Sequence, residues 1–218
     1  MKTETDKRIQ YRIKRVLDTL VALILFLLLL PLSILIGILI FIGDRGSVFF
    51  MQERIGYKGK VFRIIKFRTM VENADALLAK DGSAKGINRI TPVGRFLRKT
   101  SLDEIPQLIN ILKGDMSFIG PRPSLVTHYR DRYTDEQRQR VLVKPGITGL
   151  AQINGRNSLK WSKRIEFDRQ YILKYSLFLD FKILLKTVKI VLFGEGVKMD
   201  RNIEEVDDLP KARGKNHE

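Results

Sequence analysis

The chain has 218 residues, which is enough for one domain with its own core or for a small domain joined to a membrane segment. It carries 40 Lys and Arg against 24 Asp and Glu, and the formal net charge of +16 indicates an anionic partner: nucleic acid, an anionic bilayer or a phosphate-bearing substrate. The absence of Cys excludes disulfides, thiolate zinc sites and a Cys nucleophile, and with only two His any catalysis must rest mainly on carboxylates, Lys, Arg, Ser or Tyr.

An apolar segment near the N-terminus is long enough to cross a membrane. Residues 20–42 carry no charged side chain, and a helix of that length at ~1.5 Å per residue would cover a ~30 Å hydrocarbon layer. The segment is too long for the apolar region of a typical secretory signal peptide, and no A-x-A-like cleavage site follows it. A membrane helix is therefore favoured over a signal peptide and over a core helix of a soluble domain.

The charges around this segment and the proline at its centre predict its topology. Basic residues precede and follow it, although an excess of Lys and Arg is typical of cytoplasmic flanks only. A mid-helix Pro removes one backbone hydrogen bond and kinks the helix, and each arm would reach ~16 Å, about half of the apolar layer. We therefore expect a re-entrant helical hairpin broken at Pro31, which enters and leaves on the cytoplasmic face. A kinked helix that spans the membrane is the alternative.

Two short apolar segments after the membrane segment predict a β-hairpin. Residues 48–52 and 61–67 are rich in Val, Ile and Phe, and a basic turn that contains Gly56 separates them. The polar residues 73–86 lack a clear pattern and are expected to form a mobile loop.

Helical periodicity dominates the rest of the chain. It begins at Pro92, continues over residues 103–113 with Gly114 as a stop signal, and recurs over residues 159–174. A last helix over residues 179–193 carries a stripe of Lys. That stripe fits either a helix on an anionic membrane surface or a core-packed helix with a solvated Lys face.

The adjacent carboxylates Asp103 and Glu104 are the sharpest local candidate for chemistry. The residues from Ser101 onward also match a capping box, in which Ser101 caps a helix and Glu104 bonds back to it. Pro106 argues against that register because it would leave the carbonyl of Leu102 without a partner, so the helix is expected to begin at Asp103 or later. An ionised Asp can attack phosphorus and an adjacent carboxylate can hold Mg²⁺; a structural role at a helix N-terminus is the alternative.

Basic side chains around this pair are candidates for binding phosphate. Arg122 stands out because the prolines on either side stiffen its backbone and its planar guanidinium suits phosphate oxygens. Most exposed Lys and Arg side chains are simply solvated, so the other candidates are less specific. They are Lys66, Arg68, Arg95, Arg98, Lys144 and Arg156.

Several segments in a fixed order resemble the bacterial sugar transferase family, the monotopic phosphoglycosyl transferases that initiate capsule, exopolysaccharide and glycoprotein glycan assembly. The resemblance extends from Lys14 to Val197, and five motifs in order are far more specific than any one of them. The motifs are KFRTM at 66–70, SLDEIPQL at 101–108, LKGDMS at 112–117, GPRP at 120–123, and KPGITG at 144–149 running on to NGRN at 154–157.

The resemblance implies a mostly helical α+β fold at the bacterial inner membrane. Residues 1–43 would form the basic N-terminus and the re-entrant hairpin, residues 44–199 a catalytic domain on the cytoplasmic face, and residues 200–218 a charged, disordered tail. The family commonly has Ser-Pro at the hairpin break, whereas this chain has Leu30 before Pro31.

The resemblance also implies a reaction. Asp103 would attack the β-phosphorus of a UDP-sugar, release UMP and hold the phosphosugar covalently until undecaprenyl phosphate, a polyprenyl phosphate, attacks the intermediate. Glu104 would bind Mg²⁺, and cations would offset the charge that develops on the leaving UMP. The candidate substrate- and phosphate-binding residues are Lys66, Arg68, Arg98, Arg122, Arg156 and Asp168.

The expected partners are a UDP-sugar, polyprenyl phosphate and membrane lipids. Nucleic acid is not expected, because no helix-turn-helix, zinc finger or RNP-type motif is evident. A basic, membrane-tethered nucleic-acid-binding protein or a noncatalytic scaffold is the alternative class. Downstream glycosyltransferases and a second copy of the chain stay open as partners, and no motif reports which sugar is transferred or in which glycan pathway.

Overall fold

The computed structural model of the protein describes residues 4–72, 89–155, 158–193 and 207–210. Helices predominate and short strands form two small sheets, so the predicted mostly helical α+β fold is confirmed. The predicted mobile loop at residues 73–86 lies outside the described residues.

Helix α1, Glu4–Asp44, is one helix of 41 residues that continues through Pro31. The sequence predicts two half-length helices with a break at this proline, and the structure does not show that break. A proline removes a single backbone hydrogen bond, and the neighbouring turns can keep theirs. Within α1, Arg8–Gly43 is long and apolar enough to cross a membrane. The re-entrant hairpin stays a prediction.

One side of α1 packs against the rest of the protein over most of its length. Near the N-terminus the ring of Tyr11 stacks on Tyr175 with ring centroids 4.1 Å apart. Ala22 is fully buried in a core cluster that includes Phe62, Leu108 and Ile111, and Ile36 and Ile40 are buried near the other end of the helix. The opposite side exposes apolar residues that include Leu20, Ile24, Leu27, Leu28, Ile34, Leu35 and Ile42.

The predicted β-hairpin is present. Strands β1, Phe49–Ile55, and β2, Val61–Phe67, pair antiparallel with Phe49 opposite Phe67, and a 3₁₀ turn at Tyr57–Gly59 joins them. Strand β4, Ser124–Leu125, pairs with the end of β1 and so fixes the preceding proline-flanked turn next to the hairpin.

A second small sheet joins two segments that lie well apart in the chain. Strands β3, Ser117–Ile119, and β5, Gly146–Thr148, pair in parallel. A Cβ on Gly146 would collide with the backbone nitrogen of Gly120. The two chain segments approach too closely here for a side chain. Gly120 of the GPRP motif and Gly146 of the KPGITG motif therefore have to be glycines.

Six further α-helices complete the described fold. Helix α3 ends at Gly114, which takes the left-handed conformation with φ of +92°, as its position in the sequence predicts. The helices are α2 Pro92–Thr100, α3 Gln107–Lys113, α4 Asp135–Arg138, α5 Leu150–Ile153, α6 Trp161–Leu173 and α7 Leu177–Phe193.

Helix α7 has a buried side and an exposed side that is largely apolar. Ile183 and Ile190 are buried, and the Lys stripe is exposed, so α7 is packed on the core. Next to the lysines, however, lie exposed apolar side chains: Phe178, Phe181, Leu184, Leu185, Val188 and Val191. Such a surface is typical of a helix that lies at a membrane interface.

Candidate active site

The carboxylate pair lies in a short turn between two helices. Ser101 has φ of 59° and ψ of 16°, the left-handed conformation, and its backbone N–H closes the end of α2. Its side chain makes no capping hydrogen bond, so the capping box is not formed. Leu102–Glu104 form a 3₁₀ turn, and α3 begins only at Gln107. This agrees with the expected start at Asp103 or later, and Pro106 occupies the N-cap position.

Buried Asn110 on α3 holds the strand that carries Lys66. Its side-chain oxygen accepts a hydrogen bond of 3.0 Å from the backbone nitrogen of Ile65, and its amide nitrogen donates one of 2.8 Å to the carbonyl of Arg63. The amide thus fixes β2 against the helix that follows the carboxylate pair. Because both bonds are to backbone atoms, the position of Lys66 is set by the fold.

Glu104 is held between two cations. Its Oε1 accepts hydrogen bonds from Nζ of Lys66 at 2.6 Å and from Nη2 of Arg122 at 2.9 Å. Burial raises the pKa of Glu104, but Lys66 and Arg122 together lower it well below its usual range. Glu104 is therefore ionised throughout the physiological range.

Asp103 has the opposite electrostatic character. Its Oδ2 lies 3.9 Å from Nζ of Lys66, and 14% of its side chain is exposed. Burial raises the pKa of Asp103 above its ordinary value, and the neighbouring charge of Glu104 adds to this, although Lys66 works against both. Adjacent carboxylates with pKa values moved apart are suited to different roles, and Asp103 is the more basic of the two.

The pair opens into a large cleft of about 920 Å³. Seven of the eight sequence-predicted site residues besides Pro31 line it, and the eighth, Arg156, lies outside the described residues. Arg98 is held in place because its Nε donates a hydrogen bond of 2.8 Å to Oγ1 of Thr69. The predicted residues that line the cleft are Lys66, Arg68, Arg98, Asp103, Glu104, Arg122 and Asp168.

Asp168 lies in the cleft wall and is paired with an arginine that the sequence analysis did not single out. Its Oδ2 is 2.5 Å from Nη2 of Arg140, and their side chains are only 2% and 3% exposed. Burial raises the pKa of Asp168 to about 6, against the opposing effect of Arg140. Arg140 also donates hydrogen bonds of 2.8 Å to the hydroxyl of Tyr133 and to the backbone carbonyl of Arg122.

Two further residues of the cleft were also missed, Trp161 and Arg164 on α6. The guanidinium of Arg164 lies 4.8 Å from the centre of the Trp161 ring, and its Nε bonds the carbonyl of Leu159. The only feature of the sequence that sets Trp161 apart is that it is the single Trp of the chain.

Comparison with known proteins identifies the class of enzyme to which this cleft belongs. The bacterial sugar transferase family matches residues 9–194. The chain belongs to this family. This sugar transferase is 46% identical over 192 residues to the uncharacterized sugar transferase EpsL of Bacillus subtilis (strain 168), covering 88% of the chain and 93% of EpsL.

Two other relatives of this sugar transferase carry names that state an activity. It is 40% identical over 204 residues to the undecaprenyl-phosphate galactose phosphotransferase of Salmonella typhimurium, covering 87% of the chain and 42% of that protein. It is 43% identical over 185 residues to the UDP-glucose:undecaprenyl-phosphate glucose-1-phosphate transferase of Klebsiella pneumoniae, covering 80% of the chain and 39% of that protein. The chain spans less than half the length of both relatives.

Proposed function

We propose that this sugar transferase moves a sugar 1-phosphate from a UDP-sugar to undecaprenyl phosphate, releases UMP and so initiates the assembly of a surface glycan. The names of the relatives support the donor class and the acceptor. The observation that carries the proposal is the arrangement in the cleft: a basic carboxylate, Asp103, beside an anionic one, Glu104, with Lys66 and Arg122 bound to the latter.

In the first step, a carboxylate oxygen of Asp103 attacks the β-phosphorus of the donor. The bond between this phosphorus and the bridging oxygen breaks, and its electron pair leaves with UMP. In the second step, a phosphate oxygen of undecaprenyl phosphate attacks the same phosphorus, the bond to Asp103 breaks and the carboxylate is restored. The lipid then carries the sugar on a diphosphate, and the enzyme is unchanged.

The cationic side chains have separate tasks in this scheme. Lys66, 3.9 Å from Asp103, offsets the repulsion between the carboxylate and the anionic diphosphate. Arg122 is 46% exposed at its side chain and can reach the phosphate oxygens while it keeps its bond to Glu104. Arg98 lies close enough to Asp103 for each to affect the pKa of the other.

Mg²⁺ is part of the proposal, with Glu104 as the protein ligand. In the part of the chain that the structure describes, no group of three or more His, Cys, Asp or Glu could hold a metal ion. Magnesium sites with one or two carboxylates and substrate phosphates are common, however, and ionised Glu104 beside Asp103 fits such a site. When bound, the ion would neutralise charge on the diphosphate.

The packing of α1 supports a membrane-embedded enzyme whose helix does not leave the domain. A helix that crossed the bilayer away from the domain would contact it at one end only. Here Tyr11 and Lys14 contact the domain near one end, where Lys14 pairs with Asp180 at 2.7 Å, and Ile36 and Ile40 contact it near the other. We infer that both ends of the apolar segment stay on the cytoplasmic face of the bacterial inner membrane, as a re-entrant hairpin would.

The test is UMP release by the full chain in detergent or nanodiscs with a panel of UDP-sugars. We expect release from at least one UDP-sugar when undecaprenyl phosphate and Mg²⁺ are both present, and loss of turnover when EDTA is added. Without the lipid, at most one equivalent of UMP per enzyme is expected, because the covalent intermediate accumulates. No UMP from any UDP-sugar with the lipid and Mg²⁺ present would refute the proposed function.

A further inference from the structure

A short segment near the C-terminus packs onto the domain beyond the region that the family matches. The match to the family ends at residue 194. Residues 207–210, which we call the C-terminal strap, contact two elements of the domain. Arg132 binds the strap with its whole guanidinium. Nη1 and Nη2 donate to the carboxylate of Asp207 at 2.6 and 2.8 Å, and Nε and Nη2 donate to the carbonyls of Pro210 and Leu209.

The strap also caps helix α6. The N-cap residue Lys160 has no side-chain capping bond, so the first turn of α6 lacks a local acceptor. Asp208 supplies one from 46 positions away: it accepts hydrogen bonds from the backbone nitrogen of Ser162 at 3.0 Å and from its hydroxyl at 2.5 Å. Burial raises the pKa of Asp208, but the bonds from Ser162 outweigh this and lower it. Asp208 therefore acts as an ionised cap.

The apolar residue of the strap packs where α6 meets the cleft. Leu209 is 6% exposed and lies in a cluster with Tyr133 and Ile165, against which Trp161 packs. Trp161 is the first residue of α6 and lines the cleft, as Arg164 does one turn later. The strap itself does not line the cleft; it contacts the back of the wall that does.

We propose that the C-terminal strap is a positioning element that sets the α6 wall of the cleft for donor binding. Asp208 and Leu209 are positioning residues, which act through Trp161 and Arg164. The proposal rests on the proposed function insofar as the bound ligand is a UDP-sugar. Removal of the cap should weaken donor binding without slowing the chemistry at Asp103, because no strap residue contacts the carboxylate pair in the described structure.

The first experiment does not depend on turnover. Trp161 is the only Trp in the chain, so its fluorescence reports the α6 end of the strap directly. Asp208→Ala should red-shift its emission and increase quenching by acrylamide, and UMP should bind about ten-fold more weakly in a fluorescence titration. The matched control is Glu166→Ala, which removes a half-exposed carboxylate on the same helix and should leave both readouts unchanged.

A local cap provides a rescue. Lys160→Asp places an acceptor at the N-cap position, which is extended with φ of −62° and ψ of 154°. In the Asp208→Ala background it should restore the emission and the affinity for UMP. If Asp208→Ala fails to fold, Ser162→Ala, which deletes only the hydroxyl bond, is to be measured in its place. Rescue would show that the first turn of α6 needs a capping acceptor, whichever residue supplies it.

The second experiment measures steady-state kinetics with the preferred UDP-sugar. Asp208→Ala and Leu209→Ala should raise KM about ten-fold while kcat stays within about two-fold. Unchanged UMP affinity and KM despite altered fluorescence, or a fall in kcat at constant KM, would overturn the positioning role. If the wild type releases no UMP from any UDP-sugar, the proposed function fails, and the fluorescence and UMP titrations decide the strap proposal on their own.

Discussion

Arg140 donates a hydrogen bond of 2.8 Å from Nη2 to the backbone carbonyl of Arg122. The buried guanidinium of Arg140 thus fixes the backbone of the exposed Arg122, which lies between the two prolines that already stiffen this turn. Asp168 balances the charge of Arg140 and so supports Arg122 from behind. From this relationship we infer that Asp168, although it lines the cleft, serves chiefly to hold the turn that carries Arg122 in place.

Asp103→Asn tests the nucleophile. The neutral amide cannot form an acyl phosphate, so UMP release should fall by roughly 10³-fold or more. Intact-protein mass spectrometry after incubation with donor alone should show a phosphosugar adduct on the wild type and none on the variant. Asp135→Asn, whose side chain is 99% exposed in the wild type, is the control and should keep full activity. Undiminished turnover in Asp103→Asn would eliminate the covalent mechanism.

Features that depend on neighbouring residues in the chain can be predicted from the sequence. The Val, Ile and Phe content of residues 61–67 predicts β2, and the adjacent carboxylates mark Asp103 and Glu104 because both lie in one short motif. The roles of Arg140 and the strap depend on contacts between residues far apart in the chain, as between Ser162 and Asp208. No periodicity or spacing reports such contacts.

The sequence predicts the start of α3 only within limits, at Asp103 or later. A capping box and a helix N-terminus are local patterns, and Ser101 with Glu104 satisfies the former by spacing alone. The left-handed conformation of Ser101 and the proline at the N-cap position decide the outcome, and together they place the carboxylates on a separate turn. Pro106 argues against the capping box already in the sequence, but spacing alone does not place the start at Gln107.

Arg122→Lys tests whether the fork of the guanidinium matters. A Lys ammonium keeps the charge but is a compact point donor that cannot bind Glu104 and a phosphate with two separate nitrogens. We expect kcat/KM to fall about 10- to 100-fold. Arg130→Lys, an exposed arginine outside the cleft, should be neutral. Unchanged kinetics in Arg122→Lys would mean that charge alone suffices at this position.

Lys66→Met should shift the acid limb of the pH–rate profile. The proposed reaction needs ionised Asp103, so activity should be lost as pH falls through the pKa of this residue, which burial already raises. Lys66 opposes that rise, and its removal should move the acid limb of kcat/KM to higher pH. The measurement is kcat/KM for UMP release from pH 4 to 9. An acid limb that stays in place or moves to lower pH would show that Asp103 does not control it.

Asp168→Asn tests the buried pair through stability. The pKa of Asp168 is raised from 3.8 to about 6, so its stabilising contribution is complete below pH 3.8 and is lost as pH rises through about 6. Over this window the wild type should lose about 3 kcal/mol relative to the variant, whose amide does not titrate. Thermal melts should therefore show the Tm of the wild type falling relative to that of the variant as pH rises through this window. Parallel curves would indicate an ordinary pKa for Asp168.

The topology of α1 is tested by thiol labelling, which has no background because the chain lacks Cys. If both ends of the apolar segment stay in the cytoplasm, Asp6→Cys and Asp135→Cys should each resist a membrane-impermeant thiol reagent in intact spheroplasts and react after lysis. If the segment breaks at Pro31 in the membrane, Pro31→Leu restores the backbone donor that the proline lacks and favours the continuous helix that can span. Some label should then reach position 6 from outside, while position 135 stays protected as the control. External labelling at position 6 with Pro31 intact would show that the segment spans the membrane, and the re-entrant topology would have to be abandoned.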